Sequence, residues 1–276
     1  MNDSGPGTMK LIHISDIHIN DTAILGHDPV DNFKQCMSHI NSHHPDADMV
    51  VITGDLTHHG HSTSYTLLKE LLLKWQGDPV LMIGNHDNRD RFLEFFPHQT
   101  IDDHGFVQQV TERPEGWFQF LDTVRTGVHS GEYCDKRREW LETQLKQAET
   151  LNVPVYLFMH HNPVDVGIRN ADRIGLLDGD DFRQILMRYN KVIRHIFFGH
   201  CHYVLSGSVC GIPMSAPRST NHPCLPDFSG SEALGMVPSP ATYNVCLIDD
   251  HSVVVHSIDF QLEDQAIWYE TSAMAG

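Results

Sequence analysis

No apolar run in this 276-residue chain approaches the roughly 20 residues that a membrane-spanning helix needs, so no membrane partner is expected. The first eight residues, Met1 to Thr8, lack the basic start and apolar core of a signal peptide. They read as a disordered extension ahead of Met9, and the cytoplasm is the expected compartment. Basic charge is also scarce: 19 Lys and Arg stand against 36 Asp and Glu, a formal net charge of −17. That excludes a duplex nucleic-acid binder, which needs a basic face to displace counterions. Small anionic substrates stay within reach wherever bound metal offsets the acidity. None of the six cysteines (36, 134, 201, 210, 224 and 246) forms a C-x-x-C pair, which argues for reduced, buried thiols. No short repeat recurs at a fixed period.

What is present is enough chain for a sizeable core and a regular alternation of elements. Apolar strands are expected at 10–15, 49–53 and 79–83. Helices should follow at 28–43, opened by Asp28-Pro29, at 62–75, capped by Ser62 or Thr63, and at 90–96. Strands at 106–110 and 117–121, a helix from Asp135 to about 150, a strand at 153–159 and a helix from Asp178 or Asp180 to about 189 come next. The last third reads mostly as strands, at 195–198, 203–209, 212–215, 242–248 and 252–260. Two such halves, each a sheet with helices outside, predict an α/β fold of four layers, αββα, with two facing mixed β-sheets. Positions 9–276 are expected to form one domain. Within it, 216–241 carries five prolines and reads as an irregular lid or interface segment.

Five polar clusters follow apolar runs: Asp16-Ile17-His18, Gly54-Asp55, Gly84-Asn85-His86-Asp87, His160-His161 and Gly199-His200-Cys201-His202. Strand ends are where ligands gather in α/β sheets. Each pair spaced two apart, Asp16 with His18 and His200 with His202, can face one way in extended backbone. Cys201 should then point away from the two histidines and pack. Any one cluster has an ordinary explanation as a cap or a solvated loop. Seven such side chains together would be costly to bury without metal. Mixed oxygen and imidazole ligands without thiolate suit Mn²⁺, Fe²⁺ or Zn²⁺, the first two preferred.

The ordered motifs D-x-H, G-D, G-N-H-D, H-H and G-H-x-H resemble those of the calcineurin-like metallophosphoesterases, over essentially the whole chain from Met9 to Phe260. Ile14-Ser15-Asp16-Ile17-His18, Thr53-Gly54-Asp55-Leu56-Thr57 and Met159-His160-His161-Asn162-Pro163 are most similar to the class III cyclic nucleotide phosphodiesterases and related bacterial glycerophosphodiesterases. The resemblance implies a dinuclear site. Asp16, His18 and His202 would hold one ion, Asn85, His160 and His200 the other, and Asp55 would bridge them. It implies a hydroxide shared by the ions attacking phosphorus in line, with Asn85 helping to neutralise the phosphate. It also implies that His86 acts as the acid beside the phosphate and that Asp87 holds the His86 ring.

The chain departs from this pattern at two places. Position 58, a Tyr in purple acid phosphatases, is His58, so a tyrosinate-ligated ferric ion is not expected, and His58 reads as solvated with His59 and His61. The usual H-H-P is lengthened by Asn162. The expected reaction is hydrolysis of a small phosphodiester, a 3′,5′-cyclic nucleotide or a glycerophosphodiester. A phosphomonoesterase is the alternative within this chemistry, and a non-catalytic interaction scaffold is the alternative outside it. Arg89, Arg91, Arg169, Arg173 and Arg218 are the basic residues nearest the motifs, each read first as a surface charge. Arg218, Asn221 and His222 are the expected substrate contacts, because 216–241 can fold over the site. Residues 106–121 and 216–241 are the candidate faces for a homo-oligomer, a dimer or higher.

Overall fold

The structure, a computed structural model, describes residues 7–75 and 77–268. Of the disordered extension expected at 1–8, residues 1–6 lie outside the described residues. The chain begins with β1 (Met9–Ile14), whose six residues are all buried, as befits a central strand covered on both faces. Helix α1 (Pro29–His43) starts where Asp28 accepts hydrogen bonds from the backbone N–H groups of Val30 and Asp31, with proline in the first turn. Strand β2 (Met49–Thr53), α2 (Ser62–Leu72), β3 (Val80–Met82) and α3 (Arg89–Phe95) complete the first half. β1, β2 and β3 are parallel, each joined to the next by a helix.

The second half contains β4 (Gln109–Arg113), β5 (Gly116–Phe120), α4 (Asp135–Leu151), β6 (Val155–Phe158), α5 (Arg169–Ile174), α6 (Gly179–Arg188), β7 (Ile193–Phe197), β8 (Leu205–Val209) and β9 (Ile212–Ala216). Two short strands follow, β10 (Cys224–Leu225) and β11 (Gly235–Met236). The chain then returns to the first sheet as β12 (Tyr243–Ile248) and β13 (Val253–Ile258), and the last element among the described residues is a 3-10 turn, Phe260–Gln265. One sheet has the order β13-β12-β1-β2-β3 and the other β4-β5-β6-β7-β9-β8.

Alternation along the strands builds the layers. Leu11, Met49, Val51 and Met82 face Phe118, Phe120, Phe158 and Phe197 across the gap between the sheets. Ile12, Ile14, Val50 and Ile52 face outward onto Phe33, Ile40, Leu68 and Phe92 of α1, α2 and α3. Leu157 and Ile196 pack against Leu141, Leu145, Phe182 and Leu186 of α4 and α6. This is the αββα arrangement expected from the sequence.

Several local expectations shift. Helix α2 stops at Leu72, and His61 at its N-cap makes no side-chain cap bond. Asp135 lies inside α4, whose N-cap is Cys134. Residues 106–108 belong to a turn, in which the Phe106 carbonyl accepts from the N–H groups of Asp102 and Gln108. Helix α5 and the β10–β11 pair were not anticipated. Among the described residues, no helix is long and apolar enough to cross a membrane.

Candidate active site

The carboxyl ends of β1, β2, β3, β6 and β7 share one edge of the double sheet, and the five polar clusters meet there. Hydrogen bonds weave the loops together. The N–H groups of Asp16 and His18 donate to the Gly54 and Asp55 carbonyls at 3.2 and 2.8 Å, and the Gly199 N–H donates to the His160 carbonyl at 3.0 Å. The His200 N–H reaches the Asp16 carboxylate at 3.0 Å, and the ring of His160 reaches the Thr53 carbonyl from the other sheet at 2.8 Å.

The backbone at these loops is not the extended strand that the two-residue spacing suggested. Asp16, His18, Asp55, His200 and His202 have φ of 56°, 47°, 47°, 69° and 58°. They are five of the eight non-glycine residues with positive φ among those described. Each such left-handed residue costs on the order of 1 kcal/mol or more, and concentration of this strain at one place marks a functional site. Glycine makes the crowding feasible. A Cβ on Gly84 would collide with the backbone N and carboxylate of Asp55, and one on Gly199 would collide with the Ser15 hydroxyl.

The ring nitrogens show where the lone pairs of the cluster point. His160 Nδ1 must carry its hydrogen, because the Thr53 carbonyl can only accept. Its Nε2 then presents a lone pair to Asn85 Oδ1 at 3.0 Å and Asp55 Oδ1 at 3.4 Å. His202 is fixed in the same way by the His222 carbonyl at 2.9 Å, and its Nε2 faces His18 Nε2 at 3.1 Å and Asp16 Oδ1 at 3.5 Å. His200 Nε2 is buried without a hydrogen-bond partner. Lone pairs converging on lone pairs in a buried site are unfavourable unless a proton or a metal cation lies among them. The residues therefore fit divalent metal. Asp16, His18, Asp55 and His202 present ligand atoms all within 4.8 Å of one another.

Electrostatics agree with this reading. Burial would lower the pKa of His160, but the Asp55 carboxylate pushes it up to about 9. Burial opposes a charged His202 in the same way, and Asp16 raises it well above its ordinary value. Burial would raise the carboxyl of Asp55, yet His160 and His86 hold it well below the usual carboxylate range. The carboxylates thus pull positive charge to the positions a cation would fill.

His161 is also buried beside His160 and His200, but both its nitrogens are engaged, Nδ1 with Thr123 Oγ1 at 2.7 Å and Nε2 with the His129 carbonyl at 3.1 Å. It props the loop rather than offering a lone pair. Cys201 packs in the core of the second sheet, as expected, and also forms part of a cavity wall.

Three expectations are corrected. Asp87 does not hold the His86 ring. Its carboxylate accepts from the N–H groups of Leu56, Thr57 and Gly84 and from the hydroxyls of Thr57 and Tyr65, at 2.9 to 3.1 Å. Those donors converge on it from the loops after β2 and β3 and from Tyr65 of α2, and exclude the ring. His86 Nδ1 is held instead by the His58 carbonyl at 2.7 Å. His58 is not simply solvated: its ring stacks on His86 at 5.2 Å and its Nδ1 lies 3.2 Å from His18 Nδ1. Finally, Arg218 turns away from the site to Asp259 and the Pro240 carbonyl, at 2.9 and 2.8 Å. Asn221 is buried toward α1, where Asn32 donates to its carbonyl. Of the three expected substrate contacts, only His222 reaches the cluster, its ring 4.5 Å from that of His18 and 4.4 Å from that of His202.

The sequence reading missed His129, in the loop after β5. The Asn85 amide donates to His129 Nδ1 at 2.9 Å, which turns Oδ1 of Asn85 toward His160. The only sequence signal was a histidine in a glycine-flanked loop after a strand, Gly127-Val128-His129-Ser130-Gly131.

A cavity of about 360 Å³ opens over the cluster. Asp55, Asn85, His86, His129, His200, His202 and His222 form its floor, and Ile168, Ala171, Ile174, Leu225, Leu234 and Met236 line an apolar wall. No Lys or Arg lines it among the described residues. Arg169 and Arg173 bind Glu232 outside, Arg89 is paired with Asp122, and Arg91 donates to the Gly60 carbonyl.

The chain is similar to several phosphodiesterases. The chain is 32% identical over 259 residues, 92% of its length and 94% of the relative's, to a protein named a probable cyclic nucleotide phosphodiesterase from Rhodopseudomonas palustris. It is 31% identical to a probable glycerophosphodiester phosphodiesterase from Arcobacter nitrofigilis, over 71% of this chain and 72% of that one. Identity to the 3′,5′-cyclic adenosine monophosphate phosphodiesterase of Escherichia coli is 25%, over 79% of this chain and 78% of that one. Among solved structures, a dimetal phosphatase from Danio rerio shares the fold with a TM-score of 0.69 at 13% identity, covering 91% of this chain and 96% of that one. The calcineurin-like phosphoesterase model matches residues 9–204. The chain belongs to the calcineurin-like phosphoesterase family and is a hydrolase.

Proposed function

We propose that the protein is a dinuclear-metal phosphodiesterase that hydrolyses small diesters. Asp16, His18 and His202 would hold one ion, Asn85, His160 and His200 the other, and Asp55 would bridge them, with Mn²⁺ or Fe²⁺ preferred and Zn²⁺ accepted. When bound, the ions offset phosphate charge and make water a better nucleophile near neutral pH.

The chain's own residues supply the rest. His86 carries a hydrogen on Nδ1, fixed by the His58 carbonyl, and lines the cavity floor. Its Nε2, when protonated, gives the proton to the oxygen that leaves phosphorus, while water adds from the opposite side. Asn85, oriented by His129, binds beside the phosphate. Asp87 clamps the loop after β2 to the loop after β3, which keeps His86 and Asp55 in register.

The observation that carries diester over monoester is the absence of Lys and Arg from the cavity lining among the described residues. A diester has one charge for the metals to neutralise; a monoester has about two and would gain from a further cation. The apolar wall favours a 3′,5′-cyclic nucleotide, whose base has an apolar face, over the polar headgroup of a glycerophosphodiester. The names of the relatives supply both substrate classes.

The test is a panel on Mn²⁺-reconstituted protein: cyclic AMP, glycerophosphocholine, a bis-nitrophenyl diester and a nitrophenyl monoester. The reading expects the diesters to outrun the monoester and cyclic AMP to have a higher kcat/KM than glycerophosphocholine. A faster monoester would replace it with the phosphatase alternative, and no turnover of any substrate would favour a scaffold.

A further inference from the structure

Helix α1 carries His39 and His43 one turn apart, on the same face. Their rings stack at 4.1 Å with 17° between planes. Glu263, on the 3-10 turn Phe260–Gln265, lays its carboxylate across both: His39 Nε2 is 2.9 Å from one oxygen and His43 Nε2 is 2.8 Å from the other. This cluster shares no residue with the one at the strand ends.

We propose that His39, His43 and Glu263 form a separate metal site that takes one borderline divalent ion, of the Zn²⁺, Ni²⁺ or Cu²⁺ kind.

The ring orientations carry the argument. His43 Nδ1 lies 3.0 Å from the His39 carbonyl, which can only accept, so Nδ1 bears the hydrogen. A neutral His43 then points its Nε2 lone pair at a carboxylate oxygen. His39 is anchored on its other side by the Tyr243 hydroxyl at 2.7 Å, so its Nε2 is also fixed toward Glu263. The His43 lone pair therefore faces the carboxylate, while the Tyr243 hydroxyl, which can donate or accept, lets His39 Nε2 meet it either as a lone pair or as an N–H. A proton on His43 would place a charged ring in a parallel stack with His39, whereas one divalent ion, with the His39 hydrogen on Nδ1 and donated to Tyr243, engages all three ligand atoms, which lie within 4.8 Å of one another. Two imidazoles and a carboxylate are the ligands borderline transition ions prefer, and Mg²⁺ or Ca²⁺ would choose oxygen. Two histidines at i and i+4 on a helix have the spacing of known zinc-binding helices.

Ligand lengths of about 2.1 Å at tetrahedral angles separate donors by about 3.4 Å, so the two nitrogen–oxygen contacts need to open by only about half an ångström. The Glu263 side chain is 42% exposed and can make that adjustment, and solvent supplies the fourth position. The Tyr243 bond fixes the His39 ring as an outer partner fixes a metal-bound imidazole. An ion here would join α1 and the terminal 3-10 turn, through His39, to β12.

The test counts zinc in the full-length protein. Wild type, His43→Ala and Glu263→Gln are stripped, equilibrium-dialysed against buffered micromolar Zn²⁺ and measured by elemental analysis. Both positions are well exposed, so both variants should fold. Wild type should retain one Zn²⁺ more than either variant, and the same difference should persist in an Asp55→Ala background that disables the strand-end cluster. Zn²⁺ should also raise the melting temperature of Asp55→Ala but not of Asp55→Ala/His43→Ala. Equal zinc in wild type and His43→Ala, or a difference that vanishes with Asp55→Ala, would overturn the proposal.

Discussion

His86 hangs from the backbone of His58: its Nδ1 lies 2.7 Å from the His58 carbonyl, and the two rings stack with only 14° between their planes. Because the carbonyl can only accept, one tautomer of His86 is selected, and Nε2 is left as the nitrogen that can move a proton. Rings of His18 and His129 lie 4.8 and 4.9 Å away on other sides, so His86 has little freedom to swing. The ring of the proposed general acid is therefore held by main chain and packing, with a carbonyl and not a carboxylate on its Nδ1.

His86→Ala should lower kcat on cyclic AMP by about 10² or more while leaving Mn²⁺ affinity near wild type. The loss should be smaller on a bis-nitrophenyl diester, whose leaving group needs no proton. Steady-state rates on both substrates, with Mn²⁺ titrated for each protein, check this. Equal losses on both would remove the acid role.

Asp87→Ala should behave differently from a mutation of a catalytic dyad. It strands buried donors from Leu56, Thr57, Gly84 and Tyr65, at a cost of about 3 kcal/mol in stability. Urea unfolding should show that loss. A variant that kept full stability but shifted the pH profile of kcat would restore the expected Asp87–His86 pair.

His129→Ala should free the Asn85 amide to rotate away from His160. The Mn²⁺ concentration for half-maximal activity should rise by about 10- to 100-fold, the usual effect of removing an outer partner of a metal ligand. His129→Gln, which can still accept from the amide, should recover part of it. An unchanged Mn²⁺ requirement in His129→Ala would show that Asn85 is held by other means.

Much of this was legible in the sequence, and the misses have physical reasons. The layers follow from hydrophobic alternation, which placed β2 at its observed bounds and α1 within a residue. The meeting of the polar clusters was legible because Asp16, Asp55, Asn85, His160 and His200 each follow a short apolar run, and the parallel topology sends all those runs to one edge. What was not legible lies in loops. Helix α5 has one buried residue, Ala171, and so no apolar stripe to read. β10 and β11 are two residues each. The roles of Asp87, His58 and His129 depend on which loop backbones come together, and adjacency in sequence misled for Asp87. Arg218 looked available because its partner, Asp259, is 41 positions away.

Acid should destabilise the protein through histidines outside the site. His195, on β7, is buried with Nε2 2.8 Å from Ser215 Oγ, and burial lowers its pKa from 6.5 to about 4. Unfolded chain takes up the proton near 6.5 and folded chain only near 4, so the stability His195 contributes is present above pH 6.5 and lost as pH falls toward 4. The full loss is about 3 kcal/mol. Urea midpoints between pH 7 and pH 4 should fall less steeply for His195→Gln than for wild type. Parallel curves would assign the acid sensitivity elsewhere.

In the proposed function, His18, His160, His200 and His202, with Asp16, Asp55 and Asn85, hold metal that serves diester hydrolysis. The direct measurement is the initial rate of bis-nitrophenyl diester hydrolysis by chelator-stripped protein as Mn²⁺ is added back, alongside Asp55→Ala. The stripped wild type should be inactive, its rate should rise with Mn²⁺ to a plateau, and Asp55→Ala should stay at background throughout. Full activity in the stripped protein, or a wild-type rate in Asp55→Ala, would rule out a metal-dependent diesterase.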